Sequence, residues 1–586
     1  MHVQSSLACM ALAAGSAAAS IVASDNVPLL GPSFLSNFDV TKSKHIEAAK
    51  NKFPKLIDVL FDSGTLNKTD LVFSIDVFSA STNESIYSYH HVGESSKKAV
   101  SKGRPSENSI YRIGSVTKML TAYAIIAKAG MEILSHPVTI FLPELAGNAS
   151  DNAIERIDWN DITVGALLAH QGGTSDPGGY YKVNPDDTEV NDREAFFKFM
   201  RDTQYPTTTP SRNAVYSDAG WGVATMLLER LTGLEYKDAI KHVLFEPLGM
   251  NSSSAVAPNG TDVDEVNLIR SRGPLGSTWG TDTPLFAGSG GIYSSIKDLR
   301  RAGLSILNSE FLKPSTIREW MKPRSGTGAM VELVGAPWEI YRLTLPTGPD
   351  SNRTRVSDLY TKSGGNIDYS CMFGLSPDHG IGYSIMIAGN ATASFARFPL
   401  RDIVAATFIT SAEYAAAENA EENLTGTFVV EGSETTNLTL NFVKNEPGLK
   451  LTSFFVEGQD ALAKFVAAHV FPTGLYSNSR SLAALYNTKG KFSAAFRQIT
   501  TRKRPPPDRS AIEGGHSAVF GKGGALDKSS LSDEDKDGLI GMFDNTISWM
   551  AIGGDGATDE FVLHLEDGKV VGITNPGLGL EFTRAD

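Results

Sequence analysis

Strand-like segments at opposite ends of a long helical stretch constrain the fold of this chain most strongly. LVFSIDVFSASTNESIYSYHHV alternates apolar and polar residues around a polar turn, which predicts a hairpin. From residue 111 to about 308 the patterns are mostly helical, and strand character returns in DLYTKSGGNIDYSCMFGLSP and GIGYSIMIAG. We therefore predict an α+β fold in which one sheet joins sequence-distant segments beside a helical region.

The last part of the chain has a different pattern. An Ala/Glu-rich stretch near residues 411–423 is followed by short alternating runs such as GTFVVEG, NLTLNFV, LKLTSFFV, SAAFRQI and EFVLHLEDGKVVGI. These runs predict a separate antiparallel β-domain, either a barrel or a sandwich. A chain of 586 residues is also too long to fold around a single hydrophobic core of ordinary size, which predicts at least two domains. The predicted divisions are a signal peptide at 1–23, a first domain at 24–412 and the β-domain at 413–586.

The N-terminus indicates secretion. The apolar, small-residue run LACMALAAGSAAASIVASDN fits the hydrophobic region of a secretory signal, although no Lys or Arg precedes it. A membrane anchor is the alternative, but the high content of Ala, Gly and Ser makes this run a poor candidate for a transmembrane helix. Nine N-x-S/T sequons are candidates for glycosylation. They start at Asn67, Asn83, Asn148, Asn251, Asn259, Asn352, Asn390, Asn423 and Asn437.

Composition narrows the classes of partner and cofactor. The net charge of −13 argues against a nucleic acid and against an anionic membrane surface as partners. Cys9 would leave with the signal, so Cys371 alone cannot form an internal disulfide. There is no CxxC and no HExxH, which argues against a metallohydrolase, and we predict no cofactor.

A Ser-x-x-Lys spacing occurs at the head of a helix-like run, in YRIGSVTKML. Ser115 and Lys118 stand three residues apart, so on a helix they share one face. A serine hydroxyl is a weak nucleophile until a neighbouring base takes its proton, and a lysine becomes such a base when its surroundings lower its pKa. The same spacing occurs at 95–98 and 294–297, so it is weak evidence alone.

Two further segments follow in order. AVYSDAGWGVATMLLERLTG places Tyr216 and Asp218 on a short loop before a helix. LYTKSGGNIDYS places Lys362, Ser363 and Gly364 on a strand edge, followed by a second glycine. The sequence thus presents a serine, two amines and a phenol in three separate segments.

This order resembles the active-serine signature of the serine β-lactamase/penicillin-binding-protein-like family, in its class C β-lactamase, DD-peptidase and esterase branch. The resemblance covers residues 111–390 and includes ITVGALLAHQGGT, LFEPLGMNSSS and GSGGIYSSIKDLRRAGLSIL. It implies a β-lactamase/transpeptidase-like domain, an antiparallel sheet flanked by helices, as the catalytic domain. The arrangement with a C-terminal β-domain is similar in outline to secreted fungal β-lactamase-like proteins.

The resemblance also implies roles for individual residues. Ser115 would be the acylated nucleophile, with Lys118 beside it as base or proton carrier. Tyr216 would be a second base between Lys118 and Lys362, and Lys362 would also orient the substrate. The backbone N–H groups of Ser115 and Gly365 would form the oxyanion hole. Which of Lys118 and Tyr216 is the operative base stays open.

One position departs from the family pattern. The second motif usually ends in Asn, which can donate and accept, whereas an ionised Asp218 can only accept. This weakens the expectation of a penicillin-like amide substrate and adds a negative charge near Lys118. Ser363 and Gly364 would line the substrate site, where glycine lets a substrate lie against the strand. No G-x-S-x-G elbow is present, which argues against an α/β-hydrolase.

The predicted function is a secreted serine hydrolase that forms an acyl-enzyme with an ester, thioester, lactone or amide. The alternative is an acyltransferase of the same fold that passes the acyl group to an alcohol or amine. A non-catalytic binding protein is the second alternative, favoured only if the serine or either lysine were missing. The expected partner is a small-molecule acyl substrate, and the oligomeric state stays open.

The acidic segment DEDKDGLIGMFD has the oxygen-ligand spacing of a calcium loop. Its candidate ligands are Asp533, Asp535, Asp537 and Asp544. Glu is usual at the last of these positions. The residues before the segment also have a poor pattern for the helix that normally leads into such a loop. The alternative is an acidic helix start capped by Ser532, or a surface loop.

Overall fold

The structure is a computed structural model that describes residues 31–147, 152, 154–174, 192–260, 262–390, 393–464, 468–476, 491–500 and 555–585. The predicted signal peptide, the sequon at Asn148 and the candidate calcium ligands between Asp533 and Asp544 lie outside these residues.

An antiparallel sheet of eight strands forms the centre of the first part of the chain. Its order is β2-β1-β10-β9-β8-β7-β6-β5, and β3 and β4 pair separately. The strands are β1 Val72–Ser79, β2 Glu84–Val92, β3 Tyr111–Arg112, β4 Tyr293–Ser294, β5 Ser325–Gly326, β6 Glu332–Val334, β7 Glu339–Pro346, β8 Thr354–Gly365, β9 Tyr369–Ser376 and β10 Ile381–Ala388. The predicted joining of distant segments is confirmed, because β1 pairs with β10 in full register from Val72↔Ala388 to Ser79↔Ile381.

The described helices mostly fall between β3 and β7 or after β10. They are α1 Lys44–Asp62, α2 Val116–Ala129, α3 Val164–Leu168, α4 Arg193–Asp202, α5 Asp218–Thr232, α6 Tyr236–Ile240, α7 Glu246–Leu248, α8 Ile269–Arg272, α9 Ala287–Gly290, α10 Ile296–Leu307, α11 Pro314–Trp320, α12 Ala393–Val404 and α13 Thr410–Asn423. Five-residue π-helical stretches, Lys241–Phe245 and Ala405–Ile409, join α6 to α7 and α12 to α13.

Helices cover both faces of the sheet, which explains why β1 is buried along its whole length. Its Phe73, Ile75 and Val77 pack with α1 and the α12–α13 region in one core. The opposite face packs with α2, α5 and α10 in a second core. Alternate residues of a strand point to opposite faces. The face of β1 opposite Phe73, Ile75 and Val77 carries Val72 and Phe78 together with Ser74 and Asp76, two buried polar residues that are hydrogen-bonded. The side chains proposed below for catalysis come from segments of this second core.

A buried cluster of charges ties β8 to α13. The Arg355 guanidinium donates to both carboxylate oxygens of Glu413, at 2.9 and 2.7 Å, and also to Asp378 at 2.8 Å. His379 lies 2.8 Å from the same Glu413 carboxylate. Burial alone would raise the pKa of Glu413, but Arg355 and His379 outweigh it and hold that pKa far below its ordinary value. The strand that ends at the candidate site is therefore fixed to the helix that leads into the C-terminal domain.

The C-terminal strands form a closed antiparallel barrel. The order is β12-β11-β19-β18-β17-β16-β15-β13-β14, and β12 also pairs with β13, so eight strands close and β14 is an appendage of β13. The strands are β11 Gly426–Val429, β12 Asn437–Phe442, β13 Leu449–Val456, β14 Gln459–Asp460, β15 Ala468–Tyr476, β16 Phe492–Thr500, β17 Glu560–Glu566, β18 Lys569–Asn575 and β19 Leu580–Arg584. Of the two predicted forms, barrel and sandwich, the barrel is the one present.

Apolar side chains fill this barrel and one helix packs against it. Leu438, Phe454, Phe496 and Phe561 lie in one core with residues of α13 such as Ala420. The predicted boundary between 412 and 413 falls inside α13 and stays a prediction. No helix in the described parts of the chain has both the length and the apolar character needed to cross a bilayer.

The eight sequon asparagines within the described ranges are all accessible to some degree. Asn67, Asn83, Asn251, Asn259 and Asn352 are exposed, and Asn390, Asn423 and Asn437 are half-buried. Their modification, like secretion of the protein, stays a prediction.

Candidate active site

Ser115 stands at the start of α2, where its hydroxyl is not used to cap the helix. Its backbone occupies the N-cap position without a side-chain capping hydrogen bond. Residues 111–120 are otherwise buried, and Ser115 alone among them is half-buried. The apolar residues that follow it, Val116, Met119 and Leu120, anchor the helix in the core. A rigid, buried helix therefore presents one accessible hydroxyl.

Lys118 lies one turn along this helix and is completely buried. Its Nζ donates to Ser115 Oγ at 3.0 Å and to Asp218 Oδ1 at 2.6 Å. It also donates to the carbonyl oxygen and hydroxyl of Ser289, at 2.9 and 2.8 Å. An ammonium group has only three N–H donors, so with four acceptors within reach at least one N–H is shared between two of them.

Tyr216 reaches Ser115 from the loop before α5. Its hydroxyl lies 2.7 Å from Ser115 Oγ, and half of its side-chain surface is exposed. The ring stacks on His170, with centroids 4.3 Å apart and an interplanar angle of 21°. The backbone N–H of Ser217 donates to His170 Nδ1 at 3.1 Å, while Ser217 Oγ caps α5. The Tyr216 ring is thus held by its neighbours while its oxygen faces the serine.

His170 itself is buried and adopts the left-handed backbone conformation, with φ of 58°. Burial lowers its pKa well below the ordinary value, and the nearby charges of Lys118 and Lys362 lower it further. The imidazole is therefore neutral at physiological pH and accepts from Ser217 through Nδ1. A strained, non-glycine residue of this kind typically persists where the surroundings require it.

Asp218 and Ser289 complete the surroundings of the lysine. Asp218 is the first residue of α5, where a negative charge suits the helix dipole. The Ser289 hydroxyl donates to Asp218 Oδ1 at 2.6 Å, the oxygen that also accepts from Lys118. Asp218 therefore holds the amine directly, through one hydrogen bond, and also holds the Ser289 hydroxyl that accepts from the same amine.

Lys362 is buried at the end of β8 and forms an ion pair with Glu339 of β7. The same carboxylate accepts from the backbone N–H and the hydroxyl of Ser363, at 2.8 and 3.0 Å. Burial tends to lower the pKa of Lys362, but the Glu339 charge outweighs it and the net pKa is raised. The Lys362 amine lies 5.3 Å from the centroid of the Tyr216 ring. It is therefore a charged group at the edge of the site.

Gly364 allows the end of β8 to contact the turn that carries the serine. A methyl group on Gly364 would overlap the carbonyl oxygen of Ile113. It would also lie 2.8 Å from the backbone nitrogens of Ser115 and Val116. Only glycine permits two backbones to approach this closely.

Gly365 lies against the same turn. Gly114 has φ of +50°, and a side chain there would come within 2.5 Å of the Gly365 nitrogen. The two predicted oxyanion donors, Ser115 N–H and Gly365 N–H, therefore belong to adjoining backbone segments. The structure brings all the predicted catalytic and substrate-binding residues into one place, and their roles stay predictions.

Replacing Gly364 by alanine is expected to lower the acylation rate of Ser115 by about 10²-fold or more. The added methyl pushes the strand away from Ile113 and Ser115, and a displacement of about 1 Å at a reacting centre has a cost of this size. A time course with p-nitrophenyl acetate measures the rate. Gly326→Ala in β5 is the matched control, because a methyl there meets nothing within 4 Å. Equal rates for both variants would contradict the predicted role of this contact.

Three residues of the site were missed by the sequence predictions. Ser289 and His170 lie inside the family-like segments GSGGIY and LLAHQGGT, and their polar character within these runs was the available signal. Glu339 had no local signal, because its link to Lys362 arises from the pairing of β7 with β8, in which Glu339 faces Thr361.

The described residues include no group of three or more His, Cys, Asp or Glu side chains placed to hold a metal ion. The predicted independence from cofactors stays a prediction.

Comparison with known proteins gives two family models. The model described as "Beta-lactamase" matches residues 82–407, and one described as "Beta-lactamase-like-like, C-terminal domain" matches 416–586. A "Beta-lactamase-like protein" of Arthroderma benhamiae is 25% identical over 388 residues, covering 60% of this chain and 61% of the relative. A "Probable hydrolase M10" of Phoma sp. is 23% identical over 439 residues, covering 69% and 68%.

A solved structure is also similar. The octameric penicillin-binding protein homologue from Pyrococcus abyssi is 18% identical with a TM-score of 0.46, and the match covers 76% of this chain and 98% of that chain.

Proposed function

The chain belongs to the beta-lactamase family, and we propose that it is a serine hydrolase that carries the acyl group of its substrate on Ser115. The substrate class is an ester, thioester, lactone or amide. Relatives named as probable hydrolases support the reaction type.

One observation carries the proposal. The Ser115 hydroxyl lies 2.7 Å from the Tyr216 hydroxyl and 3.0 Å from the Lys118 amine. It is also the accessible group at the head of a buried helix. A nucleophile in contact with two groups that can exchange protons is the arrangement that activates a serine.

In the first half of the reaction, Ser115 Oγ attacks the substrate carbonyl carbon. Its proton passes to Tyr216 or Lys118, whichever is deprotonated, and the carbonyl oxygen takes up the negative charge. The N–H groups of Ser115 and Gly365 stabilise this oxyanion. The bond to the leaving group then breaks, and the proton moves from the base to that group.

In the second half, water attacks the acyl group on Ser115. The same base takes the water proton, the bond to Ser115 Oγ breaks, and the serine recovers its proton as the acid leaves. The positive charge of Lys362, fixed by Glu339, attracts an electron-rich part of the substrate.

Asp218 bears on the kind of substrate. As a carboxylate it is already bonded to Lys118 and Ser289 and has no proton to donate to a substrate carbonyl. A simple ester has no amide carbonyl in its acyl side chain and therefore needs no such hydrogen-bond donor from the protein. We therefore expect esters and thioesters to acylate Ser115 more readily than β-lactams do.

The proposal is tested by mass spectrometry of the intact protein after mixing with an ester, a thioester, a β-lactam and a fluorophosphonate probe. We expect adducts on wild type and no adduct on Ser115→Ala. Ser95→Ala is the control, because Ser95 belongs to another Ser-x-x-Lys spacing and is exposed on a 3₁₀ turn. Equal labelling of Ser115→Ala and wild type would overturn the proposal. Added alcohol tests transfer, since an acyltransferase would release the new ester rather than the acid.

A further inference from the structure

Large apolar side chains are exposed beside the candidate active site. Leu275 is fully exposed, and Ile367 and Phe395 are each 71% exposed. We call these three residues the apolar rim. Exposed large apolar side chains are normal when scattered, but a group of them at a site indicates binding.

Ile367 and Phe395 are neighbours. Ile367 lies in the turn between β8 and β9, two residues after Gly365. Ser394 Oγ donates to the carbonyl oxygen of Asn366 at 2.7 Å, which fixes the start of α12 to this turn. Phe395 follows directly and therefore projects from the segment next to Ile367.

Leu275 belongs to a loop that is attached to the same turn. The buried carboxylate of Asp368 accepts from Ser277 Oγ at 2.8 Å and from the Thr278 backbone N–H at 3.0 Å. Leu275 stands two residues before Ser277, at the tip of a short 3₁₀ turn. Asp368 thus holds the loop beside the turn that carries Ile367.

The turn follows directly on the strand end that contacts the serine. Gly365 lies against Gly114, next to Ser115, so the rim begins within a few residues of the reacting atoms. Tyr216, half exposed, adds a further apolar surface at the serine itself.

From this placement we infer that the substrate carries a flexible hydrocarbon arm that lies on the apolar rim, as in a medium-chain ester. The inference rests on the proposed function, since it requires that Ser115 react with an ester. When a methylene group is completely buried on binding, its removal from water increases the affinity of the complex about fourfold. An open rim buries part of each methylene, so we expect kcat/KM to rise about two- to threefold per methylene.

The test measures kcat/KM for p-nitrophenyl esters from acetate to octanoate, below their micelle concentrations. A second series varies the alcohol chain of alkyl acetates. Acetate to octanoate adds six methylene groups, so at two- to threefold for each we expect at least one series to rise about 60-fold or more in wild type. In the Ile367→Ser/Phe395→Ser variant, that rise should fall to less than about threefold. Ile140→Ser, at a residue 62% exposed on a short 3₁₀ turn, should keep the wild-type rise.

The outcomes separate the two proposals. Flat profiles in wild type, or the same rise in wild type and the rim variant, overturn the inference while Ser115-dependent turnover of acetate still supports the hydrolase. Failure of every ester to acylate Ser115 overturns the proposed function itself. Because Ile367 and Phe395 are exposed, their replacement by serine is not expected to disturb folding.

Discussion

Replacing Lys118 by methionine is expected to slow acylation of Ser115 by about 10²- to 10⁴-fold, the range typical of a lost proton-transfer group. Methionine fills a similar volume but has no proton to exchange. The lysine amine is 3.0 Å from Ser115 Oγ and is completely buried, so water cannot easily take its place. The rate is measured as the appearance of the acetyl adduct after rapid mixing with p-nitrophenyl acetate.

Two further variants separate a chemical effect from a structural one. Lys128→Met, at an exposed position near the end of the same helix, should acylate at the wild-type rate. Lys118→Arg keeps a positive charge for Asp218 but cannot lose a proton at ordinary pH. A thermal melt shows whether Lys118→Arg is folded. If the folded variant acylates at the wild-type rate, the positive charge suffices and proton transfer through Lys118 is not needed.

The serine and its first lysine were predictable because their geometry is local. Three residues on one helix span about one turn, so the spacing alone predicts that Ser115 and Lys118 share a face, and the 3.0 Å contact agrees. The convergence of Tyr216 and Lys362 depends on tertiary structure. It could be expected only through the resemblance to a family, which the match over residues 82–407 confirms.

Side chains that join two distant elements were not predictable. Glu339 is bonded to Lys362 only because β7 pairs with β8 in one register, and a shift by one residue would turn it to the other face. Ser289 meets Lys118 because a four-residue helix, α9, lies against α2 and α5. No local pattern in the sequence contains these pairings.

The C-terminal domain shows the same limit at the level of the fold. Alternating runs predicted its strands, because period-two alternation needs only one buried face. Closure depends on β11 pairing with β19 and on β12 pairing with β13. Alternation does not specify partners, so barrel and sandwich could not be distinguished from the sequence.

Asp218 was recognised from the sequence as a departure, but its bonding partners were not. Its carboxylate is bonded to both Lys118 and Ser289, and its side chain is 26% exposed. The residue at this position therefore acts on the amine of Lys118. Besides the Lys118 amine, the Tyr216 hydroxyl is the group that contacts Ser115 Oγ, and Tyr216 is half exposed to solvent.

Replacing Tyr216 by phenylalanine is expected to slow acylation by about 10²- to 10³-fold. The change removes one oxygen, 2.7 Å from Ser115 Oγ, and keeps the ring that stacks on His170 and faces the amines of Lys118 and Lys362. The fold and the position of Ser115 should therefore be preserved. The same p-nitrophenyl acetate time course gives the rate, measured across pH 5 to 9 (roughly the range in which ester chemistry can be followed).

Tyr205→Phe, at an exposed tyrosine of the preceding loop, should leave the rate unchanged. The double variant with Lys118→Met then assigns the base. If Tyr216 and Lys118 pass one proton between them, the double variant loses less than the product of the single losses, because residues that act as a unit are not additive. If the losses multiply, each group acts at a separate step. A Tyr216→Phe rate within about threefold of wild type would show that the phenol is dispensable and that Lys118 alone takes the Ser115 proton.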